Sequence, residues 1–332
     1  MPFVSPNSLQ DSSFNTTQKS LLRRDLGPFD GAAVVVSNVV GSGTFIVPAF
    51  VAQGVPNAWG MLSVWFVGGL LAFAGAMAYA ELATLRPRAG GEYVYLREAF
   101  GPVAGFLTGW TSFVAGFSGA IAASAVGLAS YLGRFVPVAA DTTPFFQIPL
   151  AIVTLRLSPQ SIVALTAIGG LSVVHIFGLG PGRILQNLLA ALKVLVLMVF
   201  VAVGFSIGQG STSNFVASGG GVVASSWALA MIPVMFSYSG WNAASYLAEE
   251  MRDPGRNVPL ALGIGTGAVV VIYLLLNFLY IYALPVTELA EVDVRVVDAA
   301  ADQLFGPAVA GPLAAASVVM IAASISAMVL AG

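Results

Sequence analysis

Eight apolar runs divide the chain, each near or above the ~20 residues a helix needs to cross a bilayer. They cover residues 30 to 51, 58 to 84, 101 to 133, 159 to 179, 181 to 207, 225 to 249, 258 to 284 and 308 to 332. Hydrocarbon offers no water to a backbone, so such a run must pair its own N–H and C=O groups as a helix. The sequence therefore predicts an all-α polytopic membrane protein with the lipid bilayer as its surroundings. Composition points the same way: 58% of residues are hydrophobic and 8% charged, against about a quarter charged in soluble domains. The net charge of -2 carries no basic footprint for nucleic acid. Cysteine is absent and His175 is the one histidine, which excludes disulfides, thiolate chemistry and a His/Cys metal cluster. No metal and no cofactor is expected.

Residues 1 to 28 are polar, rich in Ser, Thr and Asn, and lack the apolar core of a signal peptide. They are read as a flexible cytoplasmic tail ahead of a single transmembrane domain from 29 to 332. With that tail inside, Lys19, Arg23, Arg24, Arg86, Arg88, Arg97, Arg183, Arg252 and Arg256 fall on the inner side, and Arg134, Arg156 and Arg295 on the outer. This nine-to-three bias follows the positive-inside rule across alternate loops and suits a cell (inner) membrane protein.

The loops add detail. Residues 145 to 157 are apolar but too short to cross, and Pro144, Pro149 and Arg156 mark them as a folded outer loop. The charges from Arg86 to Glu98 are read as a solvated, headgroup-facing surface, with gating of the inner mouth as the alternative. Gly101, Gly105 and Gly109 recur every fourth residue, one small face for close helix contact. From 285 to 306 the chain is acidic, while Val292, Val296, Ala300 and Leu304 recur at helical spacing. That pattern is an amphipathic outer helix, solvated on one side, with a lid over the mouth as the alternative. The last run stops at Gly332 without cap or polar flank, so the chain is expected to continue beyond it as a longer protein.

Two runs are interrupted at their middles. The first carries Val39-Val40-Gly41-Ser42-Gly43-Thr44-Phe45 and the sixth Phe236-Ser237-Tyr238-Ser239-Gly240-Trp241-Asn242. Glycine gives up the most backbone freedom in a helix, so a break is expected at each. A break leaves carbonyls unpaired at the end of one half-helix and N–H groups at the start of the next, and in a membrane these must line a cavity or be buried in protein. A zwitterion suits both, its carboxylate at the N–H end and its ammonium near the carbonyls. A glycine kink for close packing explains either stretch alone. Their pairing five spans apart favours a binding site, since a five-helix unit of odd membrane parity repeats upside down.

Lys193 stands about 12 residues, ~18 Å, into the fifth run, near mid-membrane. An ammonium there costs roughly 3 kcal/mol on insertion scales and calls for a partner. The carbonyl end of the first half-helix, near Val39 and Val40, is the expected one; a lysine snorkelling to the surface is the alternative. His175 lies nearer a span end and is read as a hydrogen-bonded structural residue. No carboxylate is placed at that depth to meet a cationic side chain, so a neutral amino acid is the expected ligand. An intramembrane enzyme is disfavoured, because no acid pair, metal cluster or Ser/His dyad is positioned by the sequence.

These residues resemble the amino acid-polyamine-organocation permeases over nearly the whole chain after residue 25. The resemblance rests on Gly41-Ser42-Gly43-Thr44-Phe45 with Pro48, with Thr44 where isoleucine is usual. It rests also on Tyr79-Ala80-Glu81-Leu82 with Pro87 and Gly90-Gly91-Glu92-Tyr93. Most specific is Phe236 to Asn242, followed by Glu249-Glu250, Asp253-Pro254 and Arg256-Asn257-Val258-Pro259, which is similar to bacterial permeases and L-type amino acid transporters. The resemblance implies the leucine-transporter fold, a five-helix inverted repeat with the first repeat complete and the second truncated, usually twelve helices, and alternating access. It implies a substrate carboxylate on the N–H groups of Ser42 and Gly43 and an amine on the carbonyls of Val39, Phe236 and Ser239. Gly41 and Thr44 complete the first break, Phe236 is a gate, and Tyr238 and Asn242 shape the side-chain pocket. Small Ser239 stands where many L-type members have glycine, which leaves side-chain preference open. Lys193 and Ser324 match positions that replace a sodium ion in sodium-independent members, leaving proton coupling or exchange. A sensor that binds without transport shares all of these motifs.

Overall fold

A computed structural model describes residues 24–150, 153–176, 182–216, 221–293 and 295–331; most of the expected N-terminal tail, and Gly332, lie outside them. The first span is two helices, α1 (Pro28–Val39) and α2 (Ser42–Gly54), bent by 47° at Val40 and Gly41. α3 (Ala58–Leu85) starts under the Asn57 cap, whose Oδ1 accepts the Gly60 N–H at 2.8 Å. A short helix, α4 (Glu92–Phe100), then lies at the face where α1 begins, called here the N-terminal face. The third span is α5 (Pro102–Thr111), a π-helical turn over Ser112–Phe117, and α6 (Ser118–Leu132). The loop expected to be folded is an antiparallel hairpin of β1 (Phe146–Pro149) and β2 (Thr154–Leu157). α7 (Pro159–Ile176) and α8 (Gly182–Ile207) are the fourth and fifth spans. The sixth is α9 (Ala224–Tyr238) with the short α10 (Ala243–Tyr246), and the seventh is α11 (Pro254–Ala283). α12 (Val286–Leu289) and α13 (Val296–Phe305) cover the opposite face before α14 (Pro307–Ala331).

Among the described residues, six helical stretches are long and apolar enough to cross a membrane, counting α5 to α6 as one, and the bent α1–α2 pair makes a seventh. α9 is shorter than its apolar run because the chain turns at Ser239-Gly240. Gly240 has φ 99°, a left-handed conformation that costs a side-chain-bearing residue energy. The result is a polytopic all-α membrane protein of the leucine-transporter type, with helix breaks in its first and sixth spans. α11 packs along α1 and α3 at the centre of the bundle, while α2 lies against α9 and α14 against α6. Small residues let α5 close on α4: a Cβ at Gly105 would stand 2.8 Å from Arg97 Cβ. On the N-terminal face, Leu26 pairs in parallel with Met251, anchoring the start of α1 beside the segment after α10.

α13 is the amphipathic helix expected, with Asp302 and Gln303 exposed on one side, but its other side is docked deeply enough to bury a carboxylate. Val296, Val297, Ala300, Ala301 and Leu304 are buried against the bundle, and so is Asp298. The reason lies in Arg134, just past α6. It donates two hydrogen bonds of 3.2 Å to Asp302 and stands 3.4 Å from Asp298 Oδ2, pinning α13 to the third span. Burial pushes the Asp298 carboxyl above the usual carboxylate range, opposed by Arg134 and by Arg295. Arg134→Gln removes both charge-assisted bonds, so about 2 kcal/mol of stability is expected to go with them. A carboxyl with a raised folded-state pKa contributes stability at low pH and loses it as pH rises through that value. Without Arg134 that penalty deepens, so the Tm deficit of Arg134→Gln should be larger at about pH 8 than at about pH 5. Equal deficits at the two would contradict this account of Asp298.

Candidate functional site

The two breaks face each other across a cavity of about 460 Å³. The first contributes Asn38, Val39, Gly41, Ser42 and Gly43, and the second Phe236, Ser237, Ser239, Gly240 and Asn242. The third span closes the side with Ser112, Ala115, Gly116 and Phe117 of its π-helical turn and, one helical stretch on, Ser124. A π turn in a span is uncommon and recurs at functional positions. Glu92 and Tyr246 complete the wall towards the N-terminal face.

α2 begins at this wall with no side chain capping it. Its first N–H groups have no intrahelical partner, and the aligned peptide dipoles add partial positive charge at the same point. An anionic group is the natural occupant. Ser42 Oγ lies 3.2 Å from Ser124 Oγ, so two hydroxyls stand beside that helix start.

The carbonyl side of the break is occupied by the protein itself. Lys193 Nζ donates to Val40 O at 2.7 Å, to Ser37 O at 3.2 Å and to Ser324 Oγ at 2.6 Å. Ser324 Oγ is in turn 2.8 Å from Val40 O, and Lys193 is 1% exposed. These are neutral oxygens, so the ammonium is held by dipoles. The Tyr273 hydroxyl of α11 stands 2.7 Å from Val39 O and 3.0 Å from Ser237 O, bridging the ends of both half-helices. Sequence reasoning passes over Tyr273, since an aromatic residue within an apolar run carries no sign of what its hydroxyl reaches.

Of the residues singled out by sequence, Val39, Gly41, Ser42, Gly43, Phe236, Ser239 and Asn242 are on the cavity wall. Lys193 and Ser324 meet each other behind it. Thr44 and Tyr238 are elsewhere. Thr44 is fully buried with its carbonyl 3.4 Å from the Tyr280 hydroxyl, because two residues along a helix turn a side chain about 200° away from the Ser42 face. Tyr238 points into the core, its hydroxyl donating to Trp65 O at 3.1 Å and its ring packed on Trp65 and Tyr273. Two of the carbonyls expected for an amine are engaged: Val39 O by Tyr273, and Phe236 O by the Ser239 N–H at 3.0 Å. Asn242 donates its side-chain amide to Glu92 Oε2 and to the Tyr246 hydroxyl, both at 3.1 Å. Glu92 lies on the cavity wall, so its loop is not wholly a solvated surface, but it stands at the N-terminal-face end and not at the depth of the two breaks. The fold of α4 against the bundle is what brings it there, and loop composition does not show that. His175 bonds Ser326 Oγ through Nε2 at 2.9 Å, away from the cavity wall.

A family model for amino acid permeases matches residues 26–332. Among curated proteins, the b(0,+)-type amino acid transporter 1 of Oryctolagus cuniculus is 32% identical over 289 residues, covering 86% of this chain and 56% of the relative. The serine/threonine exchanger SteT of Bacillus subtilis (strain 168) is 27% identical over 290 residues, 87% of this chain and 62% of its own. The Asc-type amino acid transporter 1 of Homo sapiens is 29% identical over 281 residues, 82% of this chain and 51% of its own. The chain thus spans little more than half the length of these relatives, all of them named as transporters or exchangers. A family match across both helix breaks and the buried lysine, together with relatives aligned over the same stretch, leads to one conclusion: the chain belongs to the amino acid permeases of the amino acid-polyamine-organocation superfamily.

Proposed function

We propose that this chain carries the binding site of a secondary active transporter that moves neutral amino acids across the cell membrane by alternating access, independently of sodium. The observation that carries the reading is the uncapped start of α2, opening with Gly41, Ser42 and Gly43 onto a cavity sized for a small zwitterion. A carboxylate there meets N–H groups of Ser42 and Gly43, with the Ser42 and Ser124 hydroxyls beside it. Around the breaks themselves the wall is uncharged, which suits a neutral side chain held against Ser239, Phe236 and the third span. Lys193 supports sodium independence, because its ammonium already uses the oxygens of Val40 and Ser324 that a cation between these helices would need. Coupling then runs by exchange of one amino acid for another or by co-transport of a proton. The bias of basic residues supports a cytoplasmic N-terminal face.

The test is uptake by the full-length protein reconstituted in liposomes. Labelled neutral amino acids should accumulate with or without sodium, and faster when unlabelled amino acid is loaded inside. Binding without flux would make the protein a sensor, and strict dependence on sodium would remove the role given to Lys193.

A further inference from the structure

Glu92 is the one carboxylate on the described cavity wall. It stands at the N-terminal-face end, where it opens α4. Its hydrogen-bond partners are neutral: the Tyr246 hydroxyl at 2.5 Å on Oε1 and the Asn242 amide at 3.1 Å on Oε2. The basic residues of the neighbouring loop are directed elsewhere, Arg86 and Arg88 to Glu98 and Arg97 to the Tyr93 ring. An ionised carboxylate offers about four lone-pair positions, and these two donors leave acceptor capacity unused. The start of α4 favours the negative charge there. Phe117 and Tyr246 lie with ring centroids 5.9 Å apart along the same wall, and aromatic faces attract cations. The carbonyls that end α1, by contrast, already receive Lys193 and Tyr273.

We propose that Glu92, held by Asn242 and Tyr246, forms an ammonium dock at the N-terminal-face mouth of the cavity, a second subsite that receives the charged amino group of a substrate on its way to or from the helix breaks. The proposal rests on the transport reading above. The dock also draws the segment after the break of the sixth span to α4 when empty, since Asn242 and Tyr246 stand at the two ends of α10. A bound ammonium competes for the same carboxylate oxygens and so loosens that tie as a substrate arrives.

Exchange by the full-length protein in vesicles of known orientation tests this, with propylammonium added to one face at a time. The wild-type protein should be inhibited from the N-terminal face and not from the other. Glu92→Gln, which keeps the size but removes the charge and one of the two acceptor oxygens, should weaken that inhibition by about tenfold or more, and should raise KM at the same face alone. Comparing L-lysine with L-norleucine as inhibitors identifies which ammonium is read. An equal fall for both in Glu92→Gln assigns the dock to the α-ammonium, and a larger fall for lysine to the side chain. Exchange that is indifferent to propylammonium in the wild-type protein overturns the proposal without any variant, as does inhibition unchanged in Glu92→Gln. A wild-type protein that moves no amino acid fails the transport reading instead, a result distinct from either.

Discussion

Lys193→Ala is expected to abolish amino acid flux while leaving measurable substrate binding. The ammonium is fully enclosed and ties the end of α1, through Val40 O and Ser37 O, to α14, through Ser324 Oγ. Hydrogen bonds to a charged donor contribute about 1.5–3 kcal/mol each. Losing all three lowers the population of this arrangement by about 1000-fold or more, at about 1.4 kcal/mol per tenfold. The cavity wall itself lacks Lys193, so the carboxylate site at α2 persists in the variant. Single-turnover exchange and equilibrium binding on the same preparation separate the two effects. Flux at the wild-type rate in Lys193→Ala would remove the lysine from the transport cycle.

Gly43→Ala is expected to be the most damaging single-methyl change in the site. A Cβ at Gly43 would stand 2.7 Å from Ser237 Oγ and 2.9 Å from Ser237 Cα, and the second contact is backbone that cannot swing away. α2 and α9 would have to separate at the point where the two breaks meet. Overpacking of this kind costs about 1–3 kcal/mol, and here the displacement moves the N–H groups offered to a carboxylate. Affinity should fall by about 5- to 150-fold, the range to which that cost converts. Gly41→Ala provides the contrast, because its Cβ would meet Ser324 at an ordinary 3.5 Å. A radioligand isotherm on both variants decides the matter, and equal losses would show that the glycines act through backbone freedom and not through close approach.

Much of this architecture is legible in the sequence because hydrocarbon imposes length and polarity so strictly. Helix bounds such as Ala58–Leu85 and Pro254–Ala283 fall within a few residues of apolar runs, and the two breaks sit where Gly41 and Gly240 interrupt them. Depth alone sets Lys193 beside the carbonyls that end the first half-helix, and Nζ lies on Ser37 O and Val40 O. What sequence does not carry is helical phase beyond a break. Thr44, two residues into α2, and Tyr238, the last residue of α9, lie beside wall residues in sequence yet turn into the core, because which face of each half-helix meets the cavity is set by tertiary packing. Glu92, Ser124 and Tyr273 escape for a related reason: each acts through a partner far away in the chain, on another element. Arg134 and Asp298 show the same limit on the opposite face, where an amphipathic pattern is compatible with either a solvated or a docked helix.

The central claim is that the start of α2 takes the carboxylate of an amino acid at the junction of the two breaks. Competition binding on the purified full-length protein tests it most directly, using a bound labelled amino acid displaced by the same amino acid and by its methyl ester. The ester keeps the side chain and the ammonium, loses the negative charge and adds one methyl group. It is expected to compete about 100-fold more weakly or worse, because charge-assisted hydrogen bonds to the N–H groups are replaced by neutral ones. An ester that competes as well as the free amino acid would contradict the account.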